Sequence, residues 1–409
     1  MNVIKLFIKS RESIVFVFLC LIYGLFSSMI PSEFSIVELL LIFCLLGIVP
    51  IVGVATGLLV RQRNSTNQIP SALRPMLLLM LAMPLVVGLL RQNDLFDMVR
   101  DVLPFMFFLL PVFMYKKLHS NPDTWIALMC NGYSFVGLAM SVRHFAQSGA
   151  SFSDIGEQSI FGTGISLAFD PAVQFAFPYL LGMSLIKLID RSFVSAASHF
   201  ILSLIPMFAL LGVVARAPLV LSICSVGLML FIGFKSKLFG GIMLGIFVLM
   251  IAFSLSGESV ISKAIELMLL KHENYGINGR DLEFSVVMQN AATLNKLIFG
   301  QGWGGLIANP LGDGALWRYV HNMFLYFFFK QGLIGLAAVI FYSYWLIRIF
   351  IRNLIKLIGR GDPRIVALLS LIPPMFGSFL LEVTFKTMMF GLLLCLLVAI
   401  SASLKKQGT

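Results

Sequence analysis

Charged side chains are scarce in this chain of 409 residues. Asp, Glu, Lys and Arg make up 12% of it, about half the share of roughly a quarter carried by soluble domains, while 59% is hydrophobic. That shortage excludes an assembly of soluble domains and points to an integral membrane protein. Cysteine is sparse too. Cys20, Cys44, Cys130, Cys224 and Cys395 all lie in apolar stretches, so neither a disulfide framework nor a zinc site is indicated. Low-complexity tracts and internal repeats are missing, which weakens the inverted-repeat transporter architectures. A phosphate loop is missing as well: Gly300-Gln301-Gly302-Trp303-Gly304-Gly305 has no lysine and no strand-to-helix setting, and reads as a tight turn. Pro31-Ser32-Glu33-Phe34 offers no small-x-small cleavage pattern, so the first apolar run reads as a span and not as a signal peptide.

Apolar runs of about 18 residues recur along the whole length, each long enough to cross roughly 30 Å of hydrocarbon as a helix. They fall at about 13–30, 36–59, 75–90, 101–115, 124–142, 171–189, 199–214, 217–234, 238–256, 321–347, 364–381 and 386–403. The expectation is an all-α polytopic membrane protein of about 12 transmembrane helices, with residues 1–409 as one membrane domain. A cytoplasmic N-terminus puts most of the 30 basic residues inside, from Lys5, Lys9 and Arg11 to Arg348, Arg352, Lys356, Arg360, Arg364, Lys405 and Lys406. The short outer connections then hold only Arg91, Arg100, Arg143, Arg216 and Lys386, as the positive-inside rule requires. Both termini are expected in the cytoplasm. Topology and anionic inner-leaflet lipid then account for the net charge of +11, without a nucleic-acid partner.

Residues 257–320 form a long outer connection, and connections of that length are usually functional. Residues 143–170 form a second one, with Arg143, His144, Asp154 and Glu157. In the first, Phe284, Val287, Ala291, Leu294 and Ile298 recur at spacings of three and four, the pattern of one amphipathic helix on the outer face. Asn278 is its expected N-cap, Asp281 and Glu283 its first-turn charges, and the glycines from 300 its stop. Arg280, four residues before Phe284, extends the apolar stripe and should face the membrane-side cavity beside a helix N-terminus that favours anions. A lipid-snorkelling arginine is the bland alternative.

His321-Asn322 opens the span at 321–347, where a histidine can cap the helix or act as a general base. Lys330, nine residues on, falls on the opposite helical face and is not counted with His321. Arg216, in Val214-Ala215-Arg216-Ala217-Pro218, is the sole charge between His199 and Lys235; it should sit at the outer boundary, with Pro218 in the first turn of the returning helix. Glu382 and Lys386 read as a structural i,i+4 pair.

Arg216 at a span boundary, Gly279-Arg280 opening a loop helix and His321-Asn322 before a span carrying Gly332-x-x-Gly335 together resemble the bacterial O-antigen polymerase and O-antigen ligase superfamily, over roughly residues 200–345. Phe284 stands where many members have tryptophan, and Lys330 where many are acidic. The resemblance implies an inner-membrane glycosyltransferase with its site on the periplasmic face. Its donor would be an oligosaccharide linked to undecaprenyl diphosphate and its acceptor a saccharide hydroxyl, with no metal or other cofactor and with a chain-length regulator as a possible partner. Arg216 and Arg280 would stabilise the diphosphate leaving group and His321 would orient or deprotonate the acceptor, with inversion. Asn322, Arg143 and Arg318 are the further substrate contacts expected on that side.

Within the family a polymerase extends the lipid-linked repeat units, whereas a ligase moves the finished chain to lipid A core; the second outer loop favours the polymerase. The peptidoglycan-polymerising shape-and-division enzymes share a large late outer loop without a match of motifs. From another class, a transporter or lipid flippase would carry paired ionisable or helix-breaking residues at mid-membrane, whereas the unusual residues here gather on one side.

Overall fold

The computed structural model describes residues 11–27, 35–49, 73–148, 166–213, 216–233, 280–309, 316–318, 320–359 and 362–407, with positions 266 and 269; of Arg216 it describes the backbone alone. The described chain is almost wholly helical. Helices α1 (Arg11–Phe26), α2 (Ile36–Ile48), α3 (Leu73–Leu90), α4 (Leu95–Phe108), α5 (Leu110–Phe113), α6 (Tyr115–Ser120) and α7 (Pro122–Ser148) form the first half. A 3-10 turn at Ser166–Phe169 leads to α8 (Pro171–Ile189), α9 (Phe193–Gly212) and α10 (Arg216–Leu228). Then come α11 (Arg280–Asn290), α12 (Leu294–Phe299), the two-residue strands β1 (Ile307–Ala308) and β2 (Leu316–Trp317), α13 (Met323–Leu357), α14 (Arg364–Leu369), α15 (Ile372–Leu380), a 3-10 turn at Val383–Lys386, and α16 (Met388–Lys406). The strands pair antiparallel, Ile307 with Trp317 and Ala308 with Leu316.

Among the described residues six helices are long and apolar enough to cross a bilayer: α3, α7, α8, α9, α13 and α16. Shorter apolar helices occupy Ile36–Ile48, Ala217–Ile232 and Arg364–Leu380. The span expected at 238–256 lies outside the described residues. Several boundaries move: α7 runs through Ser148, so the second outer loop begins after Arg143 and His144, and the span at 321–347 continues to Leu357. The expected single amphipathic helix is two, α11 and α12, separated at residues 291–293. Val287 is buried as the stripe requires, but Phe284 on α11 and Leu294 on α12 are exposed. Asn278 lies outside the described residues, while Gly300 does close α12.

Apart from α4–α6 and α14–α15, which each run on through αR caps, the long helices reverse direction from one to the next, so the bundle has two polar ends. At one end Lys117 Nζ donates to Glu12 (2.5 Å) and to the Ile48 carbonyl (2.6 Å), Lys406 Nζ to the Ser120 carbonyl (2.6 Å), and Arg364 to Ser403 Oγ (2.5 Å). The chain order puts Arg348, Arg352 and Lys356, at the end of α13, there too. The other end gathers the close of α3, α7, α9 and α15, the start of α4, α8, α10, α13 and α16, and the whole of α11, α12 and the hairpin. Helix α16 is the central post, buried along most of its length, with Phe390 stacked on Phe108 at 6.4 Å. In lipid such packing supplies the association energy that hydrophobic burial supplies in water.

Two helix defects shape the second end. Helix α13 breaks at Gly332, whose φ of 62° and ψ of −156° only glycine adopts readily. The break deprives the carbonyls of Phe329 and Lys330 of their donors four residues on. The glycine-rich turn replaces them: Gln301 N–H donates to Phe329 O (2.9 Å) and Gly302 N–H to Lys330 O (2.8 Å). On its other side the turn reaches α3, which carries Pro84 inside it, through Trp303 N–H to Pro84 O (2.8 Å) and Trp303 Nε1–H to Leu81 O (3.2 Å). Gly300, Gly302 and Gly304 all have positive φ, so the turn expected from sequence is in place and works as a clamp between α3 and α13.

Gly332→Ala is therefore expected to lower stability by about 2 kcal/mol or more, since it adds strain of about 1–3 kcal/mol and drives a methyl group into the Ile298 carbonyl. Thermal unfolding in detergent measures it, with Gly227→Ala, inside α10 where nothing lies within 4 Å, as the control that should not lose stability.

Candidate functional site

Three helix ends meet at the second end of the bundle. Asn322 caps α13, its Oδ1 accepting from Leu325 N–H at 3.1 Å, and its Nδ2 donates to the Leu380 carbonyl at 3.2 Å. Arg280, the first residue of α11, donates through Nη2 to the Leu381 carbonyl at 2.7 Å. Leu380 and Leu381 are the last residues of α15 and its cap, so the two polar side chains satisfy carbonyls that a helix C-terminus leaves without partners. His321 precedes Asn322. Its backbone N–H donates to Glu283 Oε2 at 3.2 Å, and its Nδ1 meets Glu283 Oε1 in a short contact.

Glu283 lies in the first turn of α11, as expected, but it is not a solvated charge there. It is only 5% exposed, whereas its neighbour Asp281 is exposed and fits the role of a solvated first-turn charge. The signal was present: Glu283 lies three residues after Arg280, on the same helical face.

Below these polar groups lies a cavity of about 520 Å³. Arg280, Glu283 and Asn322 form its polar mouth, and Phe324, Phe328, Leu333 and Leu336 carry its wall along α13 past the break at Gly332. Phe284, Met288 and Leu297 close it from α11 and α12.

Glu382 sits beside this mouth. The expected i,i+4 pair with Lys386 is not formed, because residues 383–386 wind as a 3-10 helix with three residues per turn. The carboxylate instead accepts from Gln174 Nε2 (2.8 Å) and Thr384 Oγ1 (3.2 Å), and Lys386 Nζ lies 3.8 Å from the centre of the Tyr326 ring. Burial pushes the Glu382 carboxyl up to about 7, opposed by those two hydrogen bonds and by the charges of Arg280 and His321. A carboxyl raised in this way binds its proton more tightly in the folded state than in the unfolded chain. The resulting stability is whole below its ordinary 4.5 and is lost as pH rises through about 7. Glu382→Gln is expected to flatten the fall in melting temperature across that window; an unchanged fall would place the titration elsewhere.

A second, fully buried cluster lies further along α13. Lys330 Nζ donates to Asp101 Oδ2 (2.5 Å) and to the Gly305 carbonyl (2.6 Å), while Asp101 also accepts from Gly304 N–H (2.8 Å) and Tyr326 OH (3.0 Å). Asp101, which has no motif around it, went unnoticed in the sequence.

The remaining expected contacts divide. Arg318 pairs with Asp97 at 2.5 Å, a partner that tethers the hairpin to α4. Arg143 donates to the carbonyls of Gly24 (3.0 Å) and Ser27 (2.9 Å), which makes it a C-terminal cap for α1. Neither lines the cavity. Arg216 opens α10, which packs on α15 through Leu221 near Gly377, so its backbone starts at the same end as Leu380; its side chain is not described. The structure thus brings His321, Arg280 and Asn322 together and adds Glu283 and Glu382. Among the described residues, no three of His, Cys, Asp and Glu gather in a way that could hold a metal ion.

The helices and their apolar surfaces define the class of an α-helical membrane protein. No family profile matches the chain, and no curated protein is significantly similar to it.

Proposed function

We propose that the protein is a periplasmic-face glycosyltransferase of the O-antigen polymerase and ligase type, acting on an oligosaccharide linked to undecaprenyl diphosphate in a bacterial inner membrane. The observation that carries this reading is the cavity: Arg280, Asn322 and Glu283 at its mouth, with His321 bound to that glutamate, and an apolar wall running along α13 beneath them. A ligand with an anionic, sugar-bearing head and a long hydrocarbon chain matches that division. The basic residues concentrated at the opposite end of the bundle favour a cytoplasmic location for that end and for both termini.

In this reading the acceptor hydroxyl oxygen attacks the anomeric carbon of the donor. Its proton passes to His321, and the bond from the anomeric carbon to the phosphate oxygen breaks with its electron pair left on that oxygen. Arg280, with Arg216 as the second candidate, stabilises the charge that develops on the departing diphosphate. Inversion follows from the single displacement.

The surface-polysaccharide ladder of a strain deleted for the gene tests the proposal. A single repeat unit on lipid A core means polymerase. Long chains retained on undecaprenyl diphosphate, with none attached to the core, mean ligase. An unchanged ladder, joined with failure of the purified protein to consume a lipid-diphosphate donor, rejects both.

A further inference from the structure

We propose that Glu283 is the positioning residue for His321, holding its imidazole as the Nδ1–H tautomer so that Nε2 receives the proton of the incoming hydroxyl. This rests on the transferase reading above. The geometry is specific to the pair. One carboxylate oxygen meets His321 Nδ1 and the other accepts the His321 backbone N–H at 3.2 Å, so both the ring and the chain that carries it are fixed by one side chain. His321 has need of such a clamp, because it precedes the N-cap of α13 and no helical turn restricts it. Its side chain is also 38% exposed, against 6% for that of Glu283, so packing alone does not hold the ring.

Among the described residues, Arg280 from α11 and Glu382 from the turn between α15 and α16 are charged groups close to the pair, each interacting electrostatically with the other. Arg280 is bound to Leu381, and Glu382 to Gln174 and Thr384. Among the described residues Glu283 is thus the acid in direct contact with the imidazole. In the neutral ring one nitrogen donates and the other accepts; a carboxylate on Nδ1 makes that nitrogen the donor and leaves acceptance to Nε2. As the hydroxyl oxygen bonds to the anomeric carbon, its proton moves to Nε2. The imidazolium so formed stays paired with the Glu283 carboxylate while the diphosphate leaves with the bonding electrons.

The test uses the full chain in detergent, with 15N-labelled histidine. Five histidines give five sets of resonances, and His321→Ala identifies the one that matters. The expected result is an Nδ1–H tautomer for His321 in the wild type and a shift toward Nε2–H in Glu283→Ala; an unchanged tautomer overturns the proposal. Glu283→Gln, nearly isosteric, should lower kcat by about 10- to 100-fold with KM within about twofold of wild type, as loss of a partner that orients a functional histidine does. Glu283→Asp should recover part of that loss. If His321→Ala stays active, the transferase site assignment falls while the tautomer still decides the Glu283 pairing. If His321→Ala is inactive and Glu283→Gln turns over like wild type, the positioning role alone falls. Should Glu283→Ala not fold, the tautomer in Glu283→Leu, which fills similar space without a hydrogen-bond acceptor, gives the same decision.

Discussion

Lys330→Met is expected to destabilise the protein by about 3–5 kcal/mol, the cost of leaving a buried charge without its partner. Lys330 and Asp101 are both at most 1% exposed, and Lys330 supplies the charged donor at 2.5 Å to a carboxylate that also binds Gly304 N–H and Tyr326 OH. Methionine keeps the length and much of the volume of the lysine, so the loss reports the charge and not a cavity. The Gly305 carbonyl would lose its donor in the same step, which loosens the clamp that secures the break in α13. Combining Lys330→Met with Asp101→Leu should recover a large part of the stability, since an apolar replacement of a whole buried pair is often neutral. Thermal unfolding of the four proteins in detergent closes the cycle. A single-variant loss below about 1 kcal/mol, or strict additivity, would mean that the pair is not the anchor described here.

Lys330 also shows where sequence reasoning stops. Its spacing from His321 correctly assigned it to a different group of residues, because helical periodicity is a local property. Its partner lies 229 positions upstream, and no periodicity carries that information. The same division runs through the site. Arg280, His321 and Asn322 were legible because each marks a helix start, where charge and capping follow local rules. Glu283 was within reach, since the inward direction of Arg280 carries over to a residue three positions on. Glu382 was hidden by the assumption of an α-helical turn where the chain winds as 3-10. Arg143 and Arg318 bind partners that no local pattern shows, helix-end carbonyls and Asp97. The break at Gly332 was equally unreadable: the Gly332-x-x-Gly335 pair was visible, but the donors that make a break tolerable come from residues 301 and 302.

On the proposed transferase reading, Arg280→Ala should reduce transfer by about 10²- to 10³-fold, and His321→Ala by about 10²- to 10⁴-fold, the ranges for loss of a charge-stabilising donor and of a general base. Arg280→Lys separates two accounts of that arginine. If it contributes only a positive charge near the donor head, lysine should restore most of the rate. The structure argues otherwise, because Nη2 already donates to the Leu381 carbonyl at 2.7 Å and the planar group carries its other N–H donors in a fixed fork. A lysine ammonium placed on Leu381 cannot present the same pattern to a diphosphate, and one turned to the diphosphate gives up the end of α15. Arg280→Lys is therefore expected to remain impaired by at least about tenfold in kcat, with a small drop in melting temperature from the weakened hold on Leu381. Initial rates with a lipid-diphosphate donor, taken beside melting curves, distinguish the outcomes. Full activity with a lowered melting temperature would make Arg280 a structural cap, and the charge on the leaving group would then have to be met by Arg216 alone.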